Sequence, residues 1–236
     1  MDLYPAVDVQ GGSVVRLRQG VADAATAYGD DPIAVAQGFA RDGARWVHFV
    51  DLDRAFGRGD NREIARRFLA TVRVPVQVGG GLRTEDAIDE MLGWGATRVV
   101  IGTKAATDPA LVDRLLARHG AERLAVGIDA KQGQVAVRGW TEVFDLTVLE
   151  LGRRVVGQGA RTVIYTDVAR DGMLTGPDVD GARTLAALGL QVIASGGVAT
   201  LDDLRRVRAA GLAGAIVGRA LYEGRFTLPE ALGCVA

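Results

Sequence analysis

The chain has 236 residues, nearly half of them apolar, with 28 basic and 29 acidic side chains that leave a net charge of −1. That length and apolar content allow one large domain with a sizeable core, and the balanced charge gives no footing for a nucleic-acid or membrane-surface partner. Cys234 stands alone, so no disulfide framework forms within the chain. No apolar stretch reaches the roughly 20 residues of a membrane span. Together with a start that carries no signal-like segment, these features predict a soluble, cytoplasmic protein.

Short β-rich runs closed by glycine or aspartate recur along the chain: Leu3–Asp8, Trp46–Asp51, Pro75–Val78, Arg98–Ile101, Leu124–Asp129, Thr162–Asp167, Gln191–Ala194 and Ala213–Val217. Helical periodicity fills the intervals. Thr84 is placed to cap a helix whose face carries Ile88, Met91 and Leu92 and which stops at Gly95. Thr200 opens a counterpart with Leu201, Leu204 and Val207 facing inward and Gly211 at the stop, and Asp108-Pro109 starts another with proline at its first position. Eight strand–helix units without a linker predict an α/β fold, a single (β/α)₈ barrel domain over residues 1–236.

The units repeat. Gly43 to Gly102 match Gly159 to Gly218 without a gap, at an offset of 116 residues: Asp51 falls on Asp167, Gly80-Gly81 on Gly196-Gly197, Thr84 on Thr200, and Gly102 on Gly218. An internal match of this kind predicts a barrel made of two duplicated halves. Active sites of such barrels lie at the C-terminal ends of the strands, and bare glycines there let backbone N–H groups point at an anion. The expected grips are Gly80, Gly81, Gly102 and Thr103 on one side, and Gly196, Gly197, Gly218 and Arg219 opposite. A barrel roughly 15 Å across then calls for a long ligand with a phosphate at each end.

Asp8 ends the first run and Asp129 the fifth, again across the ring, each followed by a Gly-x-Val turn (Gly12-Ser13-Val14 and Gly133-Gln134-Val135). Two carboxylates over the middle of a stretched substrate suit a general base and a general acid. Strand-end aspartates also serve as loop caps, the simplest reading of Asp51 and Asp167. The two histidines, His48 mid-strand and His119 at a helix end, give no metal-ligand pattern, so no catalytic metal is expected.

These runs, with Arg83, Arg138-Gly139-Trp140, Thr166-Asp167, Arg170-Asp171-Gly172 and Ala194-Ser195-Gly196-Gly197-Val198, resemble the phosphoribosylformimino-aminoimidazole carboxamide ribotide isomerases of histidine biosynthesis along the whole chain. The resemblance implies an Amadori rearrangement of an aminoaldose to an aminoketose on a substrate with two ribose phosphates, with neither cofactor nor obligatory protein partner. It assigns the base to Asp8, the acid to Asp129, and auxiliary roles to Thr166 and Asp171. Arg83, Arg138 and Trp140 then meet the substrate, and Gly172 joins the phosphate-binding glycines. The sister cyclase subunit of imidazole glycerol phosphate synthase shares both aspartates but typically has cysteine where Ala6 stands. Ala55–Asn61 resembles the form that also isomerises phosphoribosyl anthranilate, which leaves a second substrate as the alternative.

Overall fold

A computed structural model describes residues 1–137 and 139–236. It contains twelve strands: β1 (Asp2–Gln10), β2 (Ser13–Arg18), β3 (Val21–Gly29), β4 (Val47–Asp51), β5 (Val76–Gly79), β6 (Arg98–Ile101), β7 (Leu124–Lys131), β8 (Gln134–Val137), β9 (Glu142–Thr147), β10 (Thr162–Asp167), β11 (Gln191–Ser195) and β12 (Gly214–Val217). Eight of them run parallel in the ring β1-β4-β5-β6-β7-β10-β11-β12, closed where Asp2–Pro5 pair with Gly214–Val217. This is a (β/α)₈ barrel, and its eight strands fall within two residues of the expected runs.

The other four strands depart from the sequence expectation. β2 and β3 form an antiparallel extension of β1, and β8 and β9 a matching extension of β7. Each follows a left-handed glycine turn, Gly11-Gly12 or Gln132-Gly133, at which the chain folds back on the strand it has just left. Both extensions rise from the C-terminal mouth, beside Asp8 and Asp129.

Two cores hold the barrel. Inside the ring, Tyr4, Ala6, Ala125, Ile164, Ile193 and Ile216 pack together, with Trp46 and Val100 at their margin. Between ring and helices lies a larger apolar shell in which Phe49, Phe68, Ile88, Met91, Leu115 and Leu151 are fully enclosed. Helix Glu85–Gly93 shows why the local sequence folds this way. The Thr84 hydroxyl accepts the Ala87 N–H at 3.3 Å, acidic residues occupy the first turn, and Ile88, Met91 and Leu92 are buried. A cap of this type contributes about 1 kcal/mol, less than the burial of three such side chains. Helix Leu201–Ala209 repeats the design with a Thr200/Asp203 capping box, burying Leu204 and Val207 and leaving Leu201 only partly covered. Helix Pro109–His119 starts with its proline at the first position under an Asp108 cap.

Positions 116 residues apart share backbone conformation. Gly80 and Gly196 have φ of 92° and 85°, Gly81 and Gly197 of 66° and 83°. Gly102 and Gly218 take the pairs −92°, −101° and −113°, −99°.

Candidate active site

The C-terminal mouth opens into a cleft lined by Asp8, Asp129, Thr166, Asp171, Gly80, Gly81, Arg83, Gly102, Thr103 and Trp140. A smaller cavity adjoins it, formed by Gly172, Gly196, Gly197, Gly218 and Arg219, and the two share Arg16, Asp171, Ser195 and Ile216. All the sequence-predicted site residues within the described chain are thus brought to one end of the barrel. Arg138 lies outside the described residues.

Strand geometry places the carboxylates. The last turns of β1 and β7 aim Asp8 and Asp129 inward from opposite sides, because side chains alternate along a strand and the residues two positions back, Ala6 and Gly127, already line the interior. Asp8 Oδ2 lies 2.7 Å from Arg16 Nη1, and both side chains are nearly enclosed. Burial pushes the Asp8 carboxyl up from its ordinary range, and Arg16 opposes the shift. Asp129 is likewise pushed up by burial, against hydrogen bonds from the Trp140 indole and the Thr166 hydroxyl. Thr166 stands beside Asp129 in the β7–β10 register.

Asp171 is the third carboxylate, carried on the loop after β10. Its backbone oxygen accepts the Gln19 N–H at 3.0 Å, and Gln19 Nε2 donates to the Ala169 oxygen at 3.0 Å, so the β2–β3 turn docks on this loop. Close approach is possible only because Gly172 has no side chain: a Cβ there would overlap the Leu17 carbonyl. Burial raises the Asp171 pKa to about 6, with Asp8 and Asp129 adding to the rise and Arg16 opposing it.

The two glycine grips are tightly built. A Cβ on Gly80 or Gly81 would overlap the backbone of Asp51 or Arg54, and a Cβ on Gly197 would overlap the Gly176 carbonyl. Asp51, fully buried, accepts from the Arg54 N–H, the Asn61 N–H and the Asn61 amide, and so ties the loop beneath Gly80. Asp167 does the equivalent with Ala169 N and Arg170 Nε. Both aspartates are loop caps.

Three predicted contacts have protein partners. Arg83 Nη2 donates to the Ala55 oxygen at 2.6 Å while lining the cleft. Arg219 donates to the Gly172 oxygen at 2.5 Å and pairs with Glu223 at 2.6 Å, so it braces the loop bearing Asp171 at the wall of the smaller cavity. Trp140 has a left-handed φ of 69°, rare for a bulky residue, and its ring lies so close to Gly20 that a Cβ there would overlap it. The loops after β1 and β7 therefore meet over the cleft.

Arg16 and Lys104 were not singled out by the sequence. Arg16 lies between the apolar Val15 and Leu17 in β2, a strand outside the eight expected runs. Its guanidinium reaches from Asp8 toward Gly218, where a Cβ would overlap it, and its buried Nε has no hydrogen-bond partner. Lys104 lines the cleft beside Thr103 with its ammonium 3.6 Å from Asp108. Among the described residues no group of His, Cys, Asp and Glu is arranged to hold a metal ion, and no helix is long and apolar enough to cross a membrane.

Residues 2–227 match the family model described as histidine biosynthesis protein. Curated relatives span the full length. A protein of Symbiobacterium thermophilum is 49% identical, with 98% of this chain and 96% of the relative covered. One of Rhodospirillum rubrum is 49% identical over all of both chains, and one of Moorella thermoacetica 46% identical over 100% and 99%. Each of the three is named 1-(5-phosphoribosyl)-5-((5-phosphoribosylamino)methylideneamino) imidazole-4-carboxamide isomerase. With a family match over nearly the whole barrel and relatives of this identity, the chain belongs to the histidine biosynthesis protein family.

Proposed function

We propose that this protein is the isomerase its relatives are named for, converting the aminoaldose form of the bis-phosphoribosyl imidazole carboxamide to the aminoketose by an Amadori rearrangement. The observation that carries the reading is the pair of largely enclosed carboxylates, Asp8 and Asp129, on opposite sides of a mouth that has a glycine grip on either flank. The halves that supply one grip and one carboxylate each are read as duplicates.

Asp129 protonates the furanose ring oxygen, the ring opens, and C1′ becomes the carbon of a protonated imine. Asp8 then takes the proton from C2′, leaving an enolaminol; this gains a proton at C1′ while its C2′ hydroxyl loses one, which leaves a carbonyl at C2′. No atom is gained or lost, and proton transfer alone suffices. Burial serves both roles: it strengthens Asp8 as a base and keeps Asp129 closer to protonated, the direction an acid near neutral pH requires. Arg16 keeps the base anionic, while Trp140 and Thr166 orient the acid. Asp171, held by the loop and titrating near pH 6, assists proton transfer at the centre.

One phosphate sits at Gly80, Gly81, Gly102 and Thr103, the other at Gly172, Gly196, Gly197, Gly218 and Arg219. The unpaired Arg16 Nε points a further donor at the second grip. Arg83 and Trp140 cover the imidazole end of the ligand, and Arg138, two residues before Trp140 in the sequence, is read as a further substrate contact. The chain acts without an obligatory protein partner. The test is to supply the purified chain with the aldose alone: ketose formation without ammonia, glutaminase or added metal supports the reading, and no turnover of that substrate defeats it.

A further inference from the structure

Beneath the carboxylates, four polar side chains cross the barrel interior in a line. His48, Gln77 and Arg98 sit on the adjacent strands β4, β5 and β6 in direct register. Arg98 Nε donates to Gln77 Oε1 at 2.7 Å, Gln77 Nε2 lies 3.0 Å from His48 Nδ1, and Arg98 Nη2 donates to the Tyr4 hydroxyl at 3.0 Å. All are buried, and the described residues place no carboxylate in an ion pair with Arg98. Its charge rests instead between the faces of Trp46, 4.7 Å from the ring centre, and Tyr4, at 5.6 Å.

The direction of the chain follows from chemistry. A guanidinium only donates, so the Gln77 oxygen faces Arg98 and its NH₂ faces His48. An amide nitrogen only donates, so His48 Nδ1 accepts and carries no proton. The imidazole hydrogen is therefore on Nε2. His48 lines the cleft, and no described residue takes a hydrogen bond from that nitrogen. In register His48 stands level with Ala6, one interior layer below Asp8. Burial and the nearby Arg16 and Arg98 cations also hold the ring neutral, with a pKa lowered to about 3.

We infer that Arg98 and Gln77 are positioning residues that lock His48 as its neutral Nε2–H tautomer, so that it offers a hydrogen-bond donor from the cleft floor to an oxygen of the bound sugar. The inference rests on the isomerase reading for the identity of that sugar. A neutral donor polarises a hydroxyl or developing carbonyl oxygen without competing with Asp129 as acid. The network's directionality supplies what a packed core alone does not, a fixed tautomer.

The experiment is ¹⁵N-histidine NMR of the intact protein, where two histidines make assignment simple, with kinetics on the same samples. His48 is expected to show the neutral Nε2–H signature from pH 8 to pH 5. In Gln77→Glu the carboxylate can only accept, so Nδ1 gains the proton and kcat falls about 10–100-fold with little change in KM. His48→Gln, which keeps an N–H near the Nε2 position, should retain more turnover than His48→Phe, and this pair decides the kinetic arm if Gln77→Glu does not fold. A wild-type ring protonated on Nδ1, or equal turnover in His48→Gln and His48→Phe, overturns the inference. Absence of turnover in the wild type defeats the isomerase reading instead, while the tautomer signature still reports on Arg98 and Gln77.

Discussion

At the scale of single residues, the mouth concentrates groups whose environments push their protonation in opposite directions. Asp171 is raised from 3.8 to about 6 by burial and by its two carboxylate neighbours. A carboxyl raised on folding binds its proton more tightly in the native state, so its contribution to stability is fully present below about pH 4 and lost as pH rises through about 6. His48 is lowered from 6.5 to about 3; its contribution is present above 6.5 and lost as pH falls from there toward 3. Urea midpoints measured from pH 4 to pH 7 should therefore respond oppositely to the two replacements. Asp171→Asn should remove the part of the profile that declines with rising pH, making the variant relatively more stable at pH 7 than at pH 4. His48→Phe should remove part of the acid-side loss. Parallel profiles for wild type and Asp171→Asn would show that Asp171 is not held in this environment.

At the scale of elements, glycines set the position of the grips. Gly80 combines a φ of 92° with a contact that leaves no room for a Cβ against Asp51, so Gly80→Ala must move the loop that forms the first grip. The expected cost is at least about 2 kcal/mol of stability, with a rise in substrate KM. Gly57, with a φ of 69° but open space around it, is the control: Gly57→Ala should cost about 1 kcal/mol and leave KM alone. Equal KM effects at the two positions would argue against Gly80 as part of an anion grip.

The grips and the carboxylates were legible in the sequence because each sits at a strand end, where a glycine or aspartate interrupts an apolar run. The hairpins β2–β3 and β8–β9 were not, since β2, β8 and β9 are short, β9 is largely exposed, and no regular alternation of apolar and polar residues marks β3. The shared Gly-x-Val turns after Asp8 and Asp129 were their one visible trace. Arg16 was hidden for the same reason: its function comes from a fold-back onto Asp8, a contact that strand periodicity does not reveal. Likewise, Gln77 lies inside the run Pro75–Val78 and Arg98 opens the run Arg98–Ile101, and only the pairing of neighbouring strands places them in line with His48.

At the scale of the whole molecule, the barrel holds two anion grips at a fixed separation with the chemistry between them. The smaller cavity and the main cleft share Arg16, Asp171, Ser195 and Ile216 in their walls, so a ligand that spans both grips passes along the Arg16–Asp8 pair. Substrate analogues lacking either phosphate should each lose at least about tenfold in kcat/KM, the scale of one lost charge-assisted hydrogen bond. An analogue whose rate is unaffected by loss of one phosphate would show that its grip is not used. The central claim is that Asp8 and Asp129 divide base and acid across this substrate, and the most direct measurement is turnover of the aldose by the wild type, Asp8→Asn and Asp129→Asn, with substrate binding followed in parallel. Each variant is predicted to bind substrate nearly as the wild type does and to lose about 10²–10⁴ in kcat; near-normal turnover in either would contradict the assignment.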